Sequence, residues 1–245
     1  MRYDIVTVDW HPEQTKIWKH YVHKNCPDAA ISLVKDTKPL HKITCGMKPK
    51  ALLYPKFKTG KVVYLDTDTI VTEDLGHLFQ EMGDKLFGVT FGFNSSGFTK
   101  SKRPKALSDM GWAEKAFKPN NKVRHYFNGM MLFNGFGVRA EKFALDWFNA
   151  LESFQDNDRF LEERINDEIA MAYVVHRHYP PETIWEIPLS VHCNIAKTTK
   201  AGGCYPHFSS GYGASVKIPP LPHVLHYHGR EFLQPFGLEK LLDIK

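Results

Sequence analysis

Short apolar runs alternate with amphipathic stretches from the first residues onward. Asp4-Ile5-Val6-Thr7-Val8-Asp9 predicts a strand. Pro12 opens a helical stretch in which Ile17, Trp18, Tyr21 and Val22 share one face, and Asn25-Cys26-Pro27-Asp28 stops it. Ala30 to Val34 reads as a second strand and Lys50 to Tyr54 as a second helix ending near Pro55. Lys61-Val62-Val63-Tyr64-Leu65 is a third strand, apolar enough to be buried on both faces. Leu86 to Phe91 adds another strand, and Asn94 to Pro104 is a polar, basic loop. The clearest helix runs from Glu141 to Phe154, with Phe143, Trp147, Leu151 and Phe154 in one stripe beside Ala144 and Phe148. Arg164 to Val175 predicts a further helix. Strands alternating with helices argue for an α/β sheet with parallel strands. Cys193 to Pro222, rich in Gly, Ser, Thr and Pro, reads as one long loop. Loops of that length in compact domains are usually functional lids or disordered, and Tyr205, Phe208 and Tyr212 give this one aromatic faces.

Composition narrows the class. At 245 residues, 42% hydrophobic and 24% charged, the chain is globular and long enough to bury a core without disulfide staples. No repeat or linker divides it, so one domain over 1–245 is expected. The net charge of +5 is spread out with no block of Lys or Arg, which gives no footprint for nucleic acid. No apolar run approaches the ~18 residues of a membrane span. Met1-Arg2-Tyr3-Asp4 lacks the long apolar segment of a secretory leader, so a soluble, cytoplasmic protein is expected. Cys26, Cys45, Cys193 and Cys204 are widely spaced and form no CxxC zinc pair.

The strongest chemical signal follows the third strand, at Asp66-Thr67-Asp68-Thr69. In an extended segment residues two apart point the same way, so Asp66 and Asp68 aim together with Thr67 opposite. They stand at the carboxyl end of a buried strand, where α/β sheets bind ligands. Two adjacent carboxylates repel, and a hard divalent cation, Mg²⁺ or Mn²⁺, relieves the conflict and can bind a diphosphate. The same residues also suit a turn, in which Asp and Thr hydrogen-bond the local backbone. Phe127-Asn128-Gly129 reads as the end of a strand, where Asn128 can donate and accept, as hydroxyl-bearing ligands require, and Gly129 allows close approach to the backbone. An Asn-Gly turn between two strands accounts for that pair equally well. Asp167 and Glu168 open a largely apolar helix, as residues facing a cleft or as acids complementing the helix dipole. His226 and His228 alternate in an extended segment; imidazole suits Mn²⁺ better than Mg²⁺. Gly229-Arg230 adds a backbone N–H and a guanidinium suited to a diphosphate.

Several blocks, taken in order, resemble the family 8 glycosyltransferases, the group that includes glycogenin. They are Lys50 to Tyr54, Val62 to Phe79 around the DxD pair, Tyr126 to Asn134, Asn166 to Met171, and Val224 to Arg230. The resemblance implies a GT-A-type single domain: a Rossmann-like nucleotide-binding half, about 1–125, and a sugar- and acceptor-binding half, about 126–245, around a mixed central sheet. It implies transfer of a hexosyl group from a nucleotide sugar, a UDP-sugar above all, to a carbohydrate or other hydroxyl acceptor with retention. Asp66, Asp68 and His226 would hold Mn²⁺, with Mg²⁺ as the alternative. Val8, Asp9, Lys50, Asp66, Thr67, Asp68, Gly229 and Arg230 would bind the nucleotide sugar, and Asn128, Asp167 and Glu168 would meet the transferred sugar. Glu168 departs from the family's Gln, and Phe232 falls where the family has a late Lys, whose charge Arg230 would supply. Two other readings stand beside this one. Asp66-Thr67-Asp68-Thr69 fits the first motif of haloacid-dehalogenase-type phosphatases, although two strands precede it and no late acidic pair follows. A non-catalytic nucleotide-sugar binder is the other.

Overall fold

The computed structural model describes residues 1–35, 47–53, 56–94, 124–135, 138–154, 166–188, 190–197, 204–206, 221–227, 229–234 and 237–244. Within them a six-stranded mixed sheet carries the order β2-β1-β3-β6-β5-β7. Its strands are β1 (Tyr3–Val8), β2 (Ala29–Val34), β3 (Lys61–Leu65), β5 (Phe87–Asn94), β6 (Arg124–Asn134) and β7 (Ile184–Glu186). β1 lies parallel to β2 and β3, and β5 parallel to β7, while β6 runs antiparallel between β3 and β5. The parallel α/β arrangement expected from the alternation is present, with β6 making the sheet mixed.

Side chains of alternate parity feed two cores, one on each face. Val6, Val8, Val62 and Tyr64 face one, with Phe143, Trp147 and Leu151 of α4 (Val138–Phe154) and Met171 and Val174 of α5 (Asn166–His178). Tyr3, Ile5, Val63 and Leu65 face the other, with Trp18 and Val22 of α1 (Pro12–Asn25) and Leu78, Phe79 and Met82 of α3 (Leu78–Met82). Helices on both sides explain why β1 is buried along its whole length.

A second sheet has the order β4-β10-β8-β9, from β4 (Thr69–Val71), β8 (His192–Lys197), β9 (Cys204–Pro206) and β10 (Val224–Tyr227). Part of the stretch expected as a single loop over 193–222 is therefore strand. β8 pairs parallel with β10 and antiparallel with β9, so inter-strand hydrogen bonds override the weak local propensity of the Thr- and Gly-rich sequence. Residues 198–203 and 207–220, including Phe208 and Tyr212, lie outside the described residues, as do 95–123 and His228. Strand pairing crosses the expected division near residue 125: β6 inserts between β3 and β5, and β4 pairs with β10. Among the described residues no helix is long and apolar enough to cross a membrane.

Candidate active site

The site forms where the chain leaves the first sheet for the second. Asp66 and Asp68 occupy the link between β3 and β4. The link is a turn rather than the extended segment expected, because the chain must change sheets within three residues. Thr69 Oγ1 donates to the Asp66 carbonyl at 2.7 Å and closes the turn, with Thr67 buried inside it. The two carboxylates converge nonetheless. Tyr227 N–H donates to the Asp68 carbonyl at 2.9 Å, which ties the turn to the end of β10 and brings up His226. One ligand atom from each of Asp66, Asp68 and His226 lies within 4.8 Å of the others. His226 Nε2 stands 3.0 Å from Asp68 Oδ1 and 4.0 Å from Asp66 Oδ2.

Gly129 makes this possible. The Phe127-Asn128-Gly129 segment neither ends a strand nor turns; it lies inside β6. Val89 of β5 pairs with Met131, but the next residue, Thr90, pairs with Phe127, so residues 128–130 bulge out of that ladder. On the other side the ladder continues, with Leu65 paired to Met130 and Asp66 N–H donating to the Gly129 carbonyl at 2.9 Å. A Cβ at Gly129 would lie 2.4 Å from both Cε1 and Nδ1 of His226 and 3.3 Å from Asp66 Oδ2. The imidazole therefore rests where any other side chain would begin. Gly129→Ala is expected to push the ring aside and cut activity about a hundredfold, the scale of a 1 Å misplacement, with the fold retained. Turnover and far-UV circular dichroism of the variant check this; wild-type turnover would contradict the packing.

Next to the cluster lies a buried polar chain. Lys48 Nζ donates to Asp66 Oδ2 at 2.8 Å and to Asn128 Oδ1 at 2.7 Å, and stands 3.5 Å from Asp167 Oδ2. Asn128 Nδ2 donates to Asp167 Oδ2 at 2.7 Å. Trp147 Nε1 donates to the Asp167 carbonyl at 2.9 Å and fixes the start of α5. Tyr64 donates its hydroxyl to Asp66 Oδ1 at 2.7 Å. Burial, followed by the Asp66 charge, pushes the Tyr64 phenol well above its usual range and keeps it a donor. Burial raises the Asp167 carboxyl above the ordinary carboxylate value; Lys48 opposes the shift, Glu168 adds to it, and Asn128 opposes it. For His226, burial disfavours the charged ring, but Asp68 and then Asp66 outweigh it and the pKa is raised.

The structure thus gathers Asp66, Asp68, His226, Asn128 and Asp167, with Glu168 half-buried beside Asp167. Sequence reasoning missed Lys48 and Tyr64. The second helix, α2, spans Met47–Leu53 and starts earlier than expected, which brings Lys48 to the carboxylates. Lys50, two residues on, is turned about 200° around the helix axis. Asp9 follows the end of β1, where it accepts a hydrogen bond from the Thr15 hydroxyl at 2.7 Å, and Val8 is buried. Arg230, after Gly229, lies on the exposed surface in an ion pair with Asp243 at 2.5 Å.

No family model and no curated protein matches the chain. Solved structures do. The galactosyltransferase LgtC, in complex with donor and acceptor sugar analogs, superposes with a TM-score of 0.54 at 14% identity, over 97% of this chain and 93% of LgtC. A glutamine-to-glutamate active-site mutant of LgtC gives 0.51 at 13% identity, over 92% and 87%. Apo mouse xyloside xylosyltransferase 1 gives 0.50 at 10% identity, over 92% and 97%. The chain has the GT-A glycosyltransferase fold. Against the longer bifunctional glycosyltransferase WbbM it spans 39% of that chain, with a TM-score of 0.43. In this GT-A fold the Asp66–Asp68 turn occupies the carboxyl end of β3, and the His226 strand comes from the smaller sheet.

Proposed function

We propose that the protein is a metal-dependent glycosyltransferase that moves a hexosyl group from a nucleotide sugar, a UDP-sugar, to a hydroxyl acceptor with retention. The observation that carries this reading is the Asp66–Asp68–His226 cluster set against the Lys48–Asn128–Asp167 chain. The donor set fits a divalent cation. Two carboxylates and one imidazole converge, and Gly129 leaves room for the ring. With nitrogen among the ligands, Mn²⁺ suits the site better than Mg²⁺. When bound, such a cation supplies charge stabilisation for the diphosphate.

The reaction breaks the bond from the anomeric carbon to the diphosphate oxygen and forms one from that carbon to the acceptor oxygen, whose proton is lost. Lys48 holds Asp66 and Asn128 in place and keeps a positive charge where the leaving group gains a negative one. Asn128 commits its carbonyl oxygen to Lys48 and one N–H to Asp167, so it orients Asp167. Asp167 or Glu168 faces the positive charge that builds on the anomeric carbon. Val8 and Asp9, at the end of β1, would meet the nucleoside.

Metal binding needs His226 Nε2 free of its proton. The ring's raised pKa means that protons compete with the cation from a higher pH than for an ordinary imidazole. Apparent Mn²⁺ affinity should therefore fall as pH drops through the ring's raised pKa, approaching tenfold per unit once the ring is mostly protonated. Titration calorimetry at several pH values checks this; constant affinity across the range would remove His226 from the ligand set.

A further inference from the structure

His226 does not stand alone in its sheet. His192, on β8, is fully buried, and its ring lies 5.7 Å from that of His226 at an interplanar angle of 21°. Val224 is the register partner of His192, so His226 is its diagonal neighbour across the parallel pair. The far side of His192 is tied to the other sheet. Thr90 Oγ1 and His192 Nδ1 share a buried hydrogen bond of 2.5 Å, and Thr90 lies at the register break where β6 bulges to present Asn128 and Gly129.

The candidate ligands come from two sheets, joined at the site by the short Asp66–Asp68 link and the Tyr227–Asp68 backbone hydrogen bond. Asp66 is carried on the end of β3 in the six-stranded sheet, and His226 on β10 in the four-stranded one. Short metal–ligand distances demand that both sheets hold one relative position within a few tenths of an ångström. Apolar packing between sheets is non-directional and fixes such a position poorly. A buried hydrogen bond has direction, and breaking it leaves a desolvated polar group behind.

We infer that Thr90 and His192 are positioning residues. Their hydrogen bond locks the second sheet to the first, and the His192 ring, stacked on His226, fixes the orientation in which Nε2 meets Asp66 and Asp68. The inference rests on the metal-site reading above, but one of its tests does not.

Thr90→Val keeps size and shape and His192→Phe keeps a flat ring, while each removes the hydrogen bond; Thr90→Ser keeps the hydroxyl. Mn²⁺ binding followed by electron paramagnetic resonance should weaken about tenfold in Thr90→Val and in His192→Phe, as for other groups that support a metal ligand, and stay within about twofold in Thr90→Ser. The double variant Thr90→Val/His192→Phe should bind no more weakly than the worse single one, because both remove the same bond. In metal-free protein, the His226 ring resonances should shift or broaden in Thr90→Val. Thermal unfolding of each variant separates a general loss of stability from loss of position. Wild-type Mn²⁺ affinity together with an unchanged His226 ring spectrum in Thr90→Val and His192→Phe would overturn the inference, whatever happens to Tm. If the wild type itself binds no Mn²⁺ in an Asp68-dependent way, the metal reading falls, and the His226 ring spectrum alone still decides the positioning role.

Discussion

Asp68→Asn is expected to reduce Mn²⁺-dependent transfer about a thousandfold or more while the protein stays folded. Asp68 is only partly buried, and it sits in a turn held by backbone and Thr69 hydrogen bonds that the substitution leaves untouched. What it loses is a full negative charge facing His226 Nε2 at 3.0 Å and the hard oxygen ligand that charge provides. On the proposed reading, several kcal/mol of charge stabilisation on the leaving diphosphate would go with the cation, and each 1.4 kcal/mol is about tenfold in rate. Steady-state turnover with Mn²⁺, beside a thermal melt, checks this. Near-normal turnover in the variant, or an EDTA-insensitive wild type, would refute the metal site.

The second large effect is expected at Lys48. Its ammonium is buried against Asp66 and Asp167, so Lys48→Met leaves two carboxylates close together in a poorly solvated place. Breaking such a pair on one side costs about 3 kcal/mol, roughly a 6–12 °C fall in Tm for a chain of this length. The loss should depend on pH. The folded-state pKa of Asp167 is already raised by burial, and Lys48 is the main influence opposing that rise. A carboxyl with a raised pKa binds more protons folded than unfolded, so stability falls as pH rises from its unfolded value through the folded one. Removing Lys48 extends that window upward. The variant should lie closest to wild type near pH 5 and furthest from it near pH 8, and its turnover should fall about a hundredfold at its own best pH. Melting curves across that range test the first point; a deficit independent of pH would mean that Asp167 does not feel Lys48.

What was legible in the sequence is what repeats along it. β1 and β3 are central strands and β2 the edge strand beside β1, each largely apolar, and α4 carries a full stripe in Phe143, Trp147 and Leu151, so their positions could be read directly. The carboxylate pair was legible because it follows such a strand. The short strands of the second sheet were not. β4 and β9 have three residues each; β4 finds its partner β10 far away in the chain, and β9 pairs with the nearby β8 through a stretch of weak strand propensity. The bulge in β6 was invisible for the same reason: only pairing with β5 and β3 at once reveals it, so Asn128-Gly129 looked like a strand end or a turn. Lys48 was missed because α2 begins earlier than expected. Tyr64 looked like one more apolar strand residue, and nothing local marks its hydroxyl as a partner of Asp66. The Thr90–His192 contact joins residues 102 apart in sequence and could come only from the fold.

The central claim is that this GT-A fold binds a nucleotide sugar through the Asp66–Asp68–His226 cluster and transfers its sugar. The most direct test presents the protein with a panel of nucleotide sugars, with and without Mn²⁺, and measures release of the nucleoside diphosphate, with Asp68→Asn as control. The expected result is UDP release from at least one UDP-sugar that requires Mn²⁺, stops with EDTA and is absent in Asp68→Asn. No release from any donor, together with hydrolysis of aryl phosphates that is lost in Asp66→Asn, would contradict the account and make Asp66 a phosphatase nucleophile instead.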